Sequence, residues 1–408
     1  MNWILNLLIM FSGFSLFGQA PFLTTWKTDN PGKTCMTCIE IPTIGEGYDY
    51  HVDWDNDGVF DEFNITGDVM HNFGAPGIYT IGITGSFPRI YFNDHKVDIN
   101  NSESDKIVDI VQWGEIKWAD MTHAFNGCDS LELSANDAPD LSQVKSTESM
   151  FENCGKINKD LNHWDVSNVN SIEEMFKGAT LFNGDLSAWD VSQVKVMNAV
   201  FYNCNDFDQD LSNWNVSNVT NMMGVFWNAT AFNGNISNWD VSKVTQMPRM
   251  FYKATSFNVD ITNWNVASVT SMENMFREAT IFNQNISGWD VSSVASMEGM
   301  FRYTDLFNQD ISGWNVASVT NMESMFEKAI VFDQNLGSWN VANVTNMNRM
   351  FSYMKLSTVN YDALLNGWNA QVLQPNVVFS GGNSIYISRI RQRIWSSYIS
   401  WFRFVFNH

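Results

Sequence analysis

The densest group of possible metal ligands is the stretch DWDNDGVFDE, which runs from Asp53 to Glu62. Alternating carboxylates followed by a glycine are typical of the start of a calcium-binding loop, because hard oxygen ligands then converge on a hard cation. Where such a loop usually ends in a bidentate glutamate, this chain has Asn64. The residues predicted to bind calcium are Asp53, Asp55, Asp57 and Asp61.

The same stretch also fits a metal-free β-hairpin. Asp57 and Gly58 lie between two apolar runs, and Asp-Gly in that setting is a strong signal for a two-residue turn. The sequence alone leaves both interpretations open.

Carboxylate pairs are the other groups that could do chemistry, as the acid and base of a glycosidase. Asp185 and Asp190 are such a pair, but the corresponding positions of a later repeat hold Asn285 and Asp290. Asp and Asn exchange there as though hydrogen bonding mattered and charge did not, which is typical of turn residues. No histidine lies between residues 164 and 407 to assist them. We therefore predict that the protein is not an enzyme, with a secreted carbohydrate-active hydrolase as the alternative.

Most of the chain follows an unbroken 25-residue period. Trp recurs at this step from Trp164 to Trp339, and Phe recurs at it from Phe151 to Phe351. Such a period indicates a repeat array in which each repeat forms one coil stacked on its neighbours. The tryptophan columns are expected to stack inside this array.

Within one repeat, Met272, Met275, Phe276 and Ala279 have the spacing of one face of a short helix. Thr270 precedes them as an expected N-cap. The segment IFNQNIS, which follows, is the best candidate for a strand. The predicted fold is therefore mainly a leucine-rich-repeat-like solenoid with a short helix and a short strand in each 25-residue coil, preceded by a small β-sandwich domain.

The five cysteines fall into two groups. Cys35 and Cys38, in TCMTC, are predicted to form a local disulfide or to remain free thiols, with a redox pair as the alternative. Cys128, Cys154 and Cys204 occupy the column of Ala279 and are predicted to be small buried spacers.

The repeats resemble a known family. MFREATIFNQNISGWDVSSVASMEGMF and its sister repeats look like the BspA-like leucine-rich-repeat surface-protein family, whose repeat is also that of mycoplasma-type lipoproteins. The resemblance covers roughly Ile110 to Ser384. It implies an exported bacterial protein used for attachment to host, matrix or other cells, and it carries no catalytic motif. The chain lacks the lipidation cysteine of the lipoprotein members.

The region before the repeats has a different pattern. Tyr79, Ile81 and Ile83 alternate as in a strand and, with the acidic turn, resemble a PKD-like, immunoglobulin-type sandwich. The domains expected along the chain are a signal peptide at 1–20, a PKD-like β-sandwich at 21–101, a leucine-rich-repeat-like array at 110–355, a C-terminal cap at 356–384 and an atypical tail at 385–408.

The two ends of the chain bear on localisation. Residues 1–20 hold an apolar run that ends in small residues, which is typical of a secretory signal, so the protein is predicted to be secreted or at the cell surface. No later run has the roughly 18 to 20 apolar residues of a membrane span. The tail at 385–408 has four Arg and no Asp or Glu. It is either a segment that binds a membrane or a partner, or an out-of-frame replacement of the native end.

The composition narrows the class of ligand. A formal net charge of −21 repels phosphate backbones, so nucleic acid is not expected, and an extracellular protein or glycan is. Tyr202, Trp227 and Tyr252 follow the buried Phe in adjacent repeats and form the first candidate surface, although they could instead cover neighbouring side chains. Asn283 and Asn285 form the second candidate surface.

Ice binding is a further alternative, because a regular rank of threonines can order water. One such column exists and holds Thr220, Thr245, Thr270, Thr320 and Thr345. Helix capping explains this column more simply, and we expect no second rank beside it.

Overall fold

The computed structural model describes residues 18–92, 102–386 and 402–404. The predicted signal peptide (1–20) lies outside these ranges except for its last three residues, and so does most of the atypical tail (385–408). Within the described ranges the chain forms a sheet-rich opening region, a long stack of coils and a C-terminal cap.

Eight strands build the opening region and the start of the stack. They are β1 (Phe22–Lys27), β2 (Cys38–Ile41), β3 (Asp49–Asp53), β4 (Glu62–Ile65), β5 (Val69–Asn72), β6 (Ile78–Ser86), β7 (Ile107–Gln112) and β8 (Glu132–Leu133). Six of them form one sheet in the order β4-β3-β6-β1-β7-β8, which is antiparallel except between β7 and β8. β2 and β5 pair in a second, antiparallel sheet.

The larger sheet joins the opening region to the repeats. Phe22, Thr24 and Trp26 of β1 are fully buried, because successive side chains of a strand point to opposite faces. β1 pairs with β7, which contains Ile110, and β7 pairs with β8, where Leu133 lies opposite Ile110. The sheet therefore continues past residue 101 into the first coil. Because β1 pairs with β7, the edge of that coil is covered and cannot pair with another chain.

Each later coil is joined to the next by one parallel β-bridge. The bridged residues step by 25 without a break and are Ser146, Ser171, Val196, Asn221, Gln246, Ser271, Ser296, Asn321 and Asn346. Strands paired in this way lie about 4.8 Å apart. The coils thus rise along the stack as the strands of a parallel sheet do.

The helix predicted in each coil is not formed, and the leucine-rich-repeat-like fold class is wrong. Within the described ranges, α1 (Thr358–Asn369) is the only helix. The segment IFNQNIS is irregular, and the bridges lie before the Met-Phe segment instead. Sheet, single bridges and turns make up the fold.

The backbone of the Met-Phe segment explains this difference. Asn274 and Glu278 have left-handed backbone angles (φ 54° and 61°), which an α-helix does not contain. The N–H of Arg277 donates to the carbonyl of Asn274 within the coil (3.2 Å), whereas the N–H of Phe276 donates to the carbonyl of Met300 in the next coil (3.0 Å). The segment is therefore a series of turns in which every second N–H bonds to the next coil.

The inward-facing residues of this segment are nevertheless those that the sequence predicted. Met272, Met275, Phe276 and Ala279 are fully buried. A turn series with two left-handed residues returns side chains to one side at the same spacing as a helix. Thr270 caps no helix, because its hydroxyl donates to the carbonyl of Thr245 in the preceding coil (3.1 Å).

Aromatic columns fill the inside of the stack, as predicted. Trp214, Trp239 and Trp264 are each only 3% exposed, and neighbouring rings are nearly parallel with centroids 6.4 Å apart. The Nε1 of Trp239 donates to the carbonyl of Leu211 in the preceding coil (3.0 Å). Each tryptophan therefore both fills the core and joins two coils.

The cysteines lie where their two groups predict. Cys35 and Cys38 form a disulfide. Cys128, Cys154 and Cys204 are not disulfide-bonded and are fully buried, and the thiol of Cys204 donates to the carbonyl of Phe176 (2.9 Å). Burial raises the pKa of all three thiols well above the usual value, so they stay protonated and act as spacers.

The last coil is covered by α1 and by β9 (Val377–Phe379), which pairs in parallel with β10 (Phe402–Phe404). Trp368 of α1 continues the tryptophan column, because its Nε1 donates to the carbonyl of Leu336 (3.0 Å). None of the helical structure in the described ranges is long and apolar enough to span a bilayer.

Candidate functional site

The acidic turn connects β3 to β4. Asp53 is the last residue of β3, and the loop folds back on itself with left-handed angles at Asn56 (φ 55°) and Gly58 (φ 89°). One carboxylate oxygen from each of Asp53, Asp55 and Asp61 lies within 4.8 Å of the others. The structure therefore brings together three of the four carboxylates predicted to bind calcium.

The fourth carboxylate, that of Asp57, is used differently. Its Oδ1 accepts a hydrogen bond from the backbone N–H of Val59 (2.8 Å) and it does not join the group of three. The other carboxylates also hold the turn, since Asp53 accepts from the N–H of Gly58 (2.9 Å) and Asp61 accepts from that of Trp54 (2.8 Å). The hairpin interpretation thus accounts for the backbone of this loop.

The three grouped carboxylates would suit a hard cation. Asp53 is only 4% exposed, and burial raises the pKa of its carboxyl, partly offset by the backbone hydrogen bonds that it accepts. A cation held by Asp53, Asp55 and Asp61 would neutralise this buried charge. Calcium takes six to eight oxygens, so backbone carbonyls or water would have to complete its shell.

The predicted aromatic surface exists and forms a ladder across three coils. The ring centroids of Tyr202 and Trp227 lie 4.6 Å apart, and those of Trp227 and Tyr252 lie 5.3 Å apart. The guanidinium of Arg277, from the next coil, lies over the ring of Tyr252 (4.9 Å). Since the faces of Trp227 and Tyr252 are covered on both sides, the ladder presents ring edges and polar tips outwards, not open faces.

Cations that the sequence analysis did not single out belong to the same surface. Arg249 lies over the ring of Trp227 (5.5 Å) and Lys253 over that of Tyr252 (5.4 Å). Further along, Lys328 lies between the rings of Tyr303 (4.8 Å) and Tyr353 (5.4 Å). These cations could have been found in the sequence, because Arg249 lies two residues before a buried Phe, and Lys253 and Lys328 each lie two residues after one.

The second predicted surface, at Asn283 and Asn285, is made of residues that hold the stack together. The Oδ1 of Asn283 accepts from the N–H of Asn308 in the next coil (3.0 Å), and the Oδ1 of Asn285 accepts from the N–H of Ser287 (3.1 Å). The Asp and Asn positions of these columns therefore act in turns and in ladders, as their exchange in the sequence indicates.

The paired carboxylates have the same structural role. Hydrogen bonds from Ser187 and Ser192 hold the pKa of Asp185 and Asp190, respectively, below the usual value. A general acid in a glycosidase needs the opposite shift, because it must keep its proton near neutral pH. This pair thus has the environment of turn carboxylates.

The threonine columns differ from the expectation in one respect, because a second column accompanies the first. It holds Thr180, Thr230, Thr255 and Thr280. In both columns most of the hydroxyls donate to carbonyls of the preceding coil, as Thr245 does to Thr220 (3.2 Å) and Thr255 to Thr230 (3.2 Å). These hydroxyls help to join the coils.

Comparison with known proteins identifies the repeat. The signature of the family described as "Mycoplasma protein of unknown function, DUF285" matches residues 119–230, 197–305 and 283–387. No curated protein and no solved structure matches the chain. The three matches together span residues 119–387, well over half of the 408 residues, and fall on the stacked coils and their cap. The chain therefore belongs to this mycoplasma-type repeat family, DUF285.

Proposed function

We propose that the protein is an exported bacterial surface or secreted protein that mediates adhesion by recognising a protein or a glycan. The BspA-like and PKD-like resemblances support this proposal, as does membership of a mycoplasma-type repeat family. We further propose that the array binds and does not catalyse, because its carboxylate pairs are engaged in turns.

One observation carries the proposal. The inward position holds phenylalanine in every coil from Phe151 to Phe351. The position after it, which is partly exposed in the coils of Phe176 to Phe301, holds in order Lys177, Tyr202, Trp227, Tyr252, Arg277 and Arg302. A constant interior with a variable exterior is the arrangement of a scaffold that presents side chains for recognition.

The acidic turn has a second proposed role, which is to bind calcium weakly through Asp53, Asp55 and Asp61 and stiffen the loop between β3 and β4. Its support is the convergence of their three oxygens at a buried carboxylate. Asp57, which was also predicted as a ligand, is left out because its carboxylate bonds to Val59.

The test of the adhesion proposal is binding of the full chain to glycan and matrix-protein arrays. Wild type is compared with the triple variant Tyr202→Ala, Trp227→Ala, Tyr252→Ala. The matched control is Leu181→Ala, Leu306→Ala, Val331→Ala, which removes three other exposed apolar side chains. Thermal unfolding of each variant shows whether the stack stays folded.

We expect wild type and the control variant to bind one class of array component and the aromatic variant to lose most of that binding. A hydrolase screen is run in parallel. Turnover of a glycoside by a protein that binds nothing on the arrays would refute the adhesion proposal. Equal binding by all three proteins would leave the adhesion proposal in place and exclude the aromatic ladder as its site.

A further inference from the structure

One face of the array has a charge opposite to that of the whole chain. The chain has 44 acidic and 23 basic residues. In the five coils built on Phe251 to Phe351, we define the cationic strip as the positions two before, one after and two after each Phe. Ten of these fifteen positions reach the surface, and five are buried, namely Asn274, Gly299, Ser324, Glu327 and Ser352. Six of the fifteen positions are basic, namely Arg249, Lys253, Arg277, Arg302, Lys328 and Arg349, and two are acidic, namely Glu278 and Glu327. Six minus two gives the strip a formal charge of +4.

Two cations of the strip are well exposed, whereas the side chains of Arg277 and Arg302 are only 26% and 21% exposed. The side chains of Lys253 and Arg349 are 43% and 47% exposed. Glu327 is only 1% exposed, and it is held by Arg302 (3.0 Å) and Arg349 (2.9 Å), so the carboxylate that these cations neutralise lies beneath them. What the strip presents to solvent is therefore mainly positive.

The aromatic rings strengthen this character. Tyr252, Tyr303 and the aromatic ladder next to them have cations or other rings over their faces, so ring edges point outwards. The edge of an aromatic ring carries partial positive charge, and a tyrosine hydroxyl can donate a hydrogen bond. Ring edges, hydroxyls and cations all favour an anionic partner.

The positive groups are also regularly spaced. Every coil from that of Phe251 to that of Phe351 contributes at least one cation to the strip. The coils are joined by parallel bridges, so these groups recur about every 4.8 Å along the stack. A matching ligand is a linear polymer with anionic groups along its length.

We propose that the cationic strip binds a linear acidic polysaccharide through its carboxylates or sulfates. This inference rests on the proposed adhesive function and names the class of its ligand. Guanidinium groups bind both planar carboxylates and tetrahedral oxyanions by paired hydrogen bonds, so both kinds of group would suit them. Glu273, Glu298 and Glu323 lie one residue before the first column of the strip, so attraction for an anion depends on direct contacts with the guanidinium groups and not on the charge of the surrounding surface.

The covered ring faces separate this ligand from single-stranded nucleic acid. Proteins that bind single strands gain much of their affinity by stacking bases on open aromatic faces. In the strip and the adjoining ladder, Trp227 lies between two rings, and Tyr252 lies between Trp227 and Arg277. At Trp227 and Tyr252 a nucleic acid could therefore not stack its bases and would keep only its phosphate contacts.

The experiment measures binding of the immobilised full chain to alginate (a polyuronate), heparin (a sulfated polysaccharide), neutral dextran and a single-stranded oligonucleotide. The strip variant is Arg249→Gln, Lys253→Gln, Lys328→Gln, which leaves the two partners of buried Glu327 in place. The control is Lys145→Gln, Lys195→Gln, Lys243→Gln, three exposed lysines outside the strip. Each variant changes the formal charge from −21 to −24, since three positive charges are lost.

We expect alginate, heparin or both to bind wild type and the control, more weakly as salt is added. Binding to the strip variant should fall by about tenfold or more, which corresponds to about 1.4 kcal/mol. The separate alginate and heparin arms show whether carboxylates or sulfates are preferred.

Three results would overturn the proposal: no binding of either acidic polysaccharide, equal loss in both variants, or tighter binding of the oligonucleotide. If these results appear while the arrays show binding to a matrix protein or a neutral glycan, the strip inference fails and the adhesive function stands. If the arrays are also negative, the adhesive function fails too.

Discussion

The left-handed residues of the Met-Phe segment allow a sharp test of the coil structure, because glycine has opposite effects in a helix and in a left-handed turn. Ala199 and Gly224 occupy the same position in adjacent coils, with φ of 51° and 62°. A side chain in the left-handed region costs roughly 1–2 kcal/mol. In a helix interior, by contrast, alanine is more stable than glycine by about 0.8–1 kcal/mol.

The two exchanges, Gly224→Ala and Ala199→Gly, should therefore shift stability in opposite directions. A Cβ at residue 224 meets only the side chain of Trp227 at 3.5 Å, an ordinary contact, so backbone strain dominates and we expect a loss of about 1 kcal/mol. Ala199→Gly relieves similar strain, but the added freedom of the unfolded chain costs roughly 0.4–1 kcal/mol. The net gain should be about 0.5 kcal/mol.

Urea unfolding followed by tryptophan fluorescence measures both variants, with the shift in midpoint as the readout, because repeat stacks do not always unfold in one cooperative step. The expected order of midpoints is Ala199→Gly, wild type, Gly224→Ala. The reverse order, with Gly224→Ala the most stable, would show that this segment is helical and would refute the turn structure.

Two further predictions concern charged groups of the opening region and the first coils. Calcium titration by calorimetry should give heat at millimolar or tighter affinity for wild type and for Asp57→Asn, but not for Asp61→Asn. No heat from wild type at about 5 to 10 mM calcium, about the upper limit for extracellular modules, would show that the loop is a turn that binds no calcium. The ion pair with Lys117 lowers the pKa of Asp140 from 3.8 to about 2, so its stabilising contribution is complete above pH 3.8 and is lost as the pH falls towards 2. NMR titration of Lys117→Met should show the pKa of Asp140 moving back towards 3.8, and an unchanged pKa would contradict the assignment of its cause.

The interior of the array could be predicted from the sequence, because buried positions hold the same types of residue at every 25-residue step. The columns of Trp239, Phe276 and Cys204 are inside, as their 25-residue recurrence indicates. A period reports which residues share an environment, and it does so whatever the backbone conformation is.

The backbone of each coil could not be predicted in the same way. Met272, Met275, Phe276 and Ala279 have a helical spacing, but two left-handed residues produce the same spacing in a turn series. The residue types in these two columns could have indicated the left-handed backbone, because Gly and Asn tolerate positive φ. The columns include Gly178, Asn203, Gly224 and Asn274. Glu278 and Lys253 stand in the same columns and have no such preference, so they make the left-handed backbone harder to predict. Their conformation is imposed by the neighbouring coils.

The candidate sites were predictable in part. Three carboxylates of the acidic turn converge as their spacing indicates, but the direction of Asp57 depends on the local fold of the loop. The aromatic ladder was visible as a column. The covering of its ring faces was not visible, because it depends on side-chain direction: Arg277 follows Tyr252 in the same column, and Arg249 reaches Trp227 from a different column.

The most direct test of recognition by the stacked coils is hydroxyl-radical footprinting of the full chain, with and without the glycan or matrix protein that it binds. Recognition by the outer columns of the stack should protect Tyr202, Tyr303 and Tyr353 and leave the buried tryptophans unchanged. Protection confined to exposed residues of the opening sheets, such as Phe63 and Met70, would contradict it.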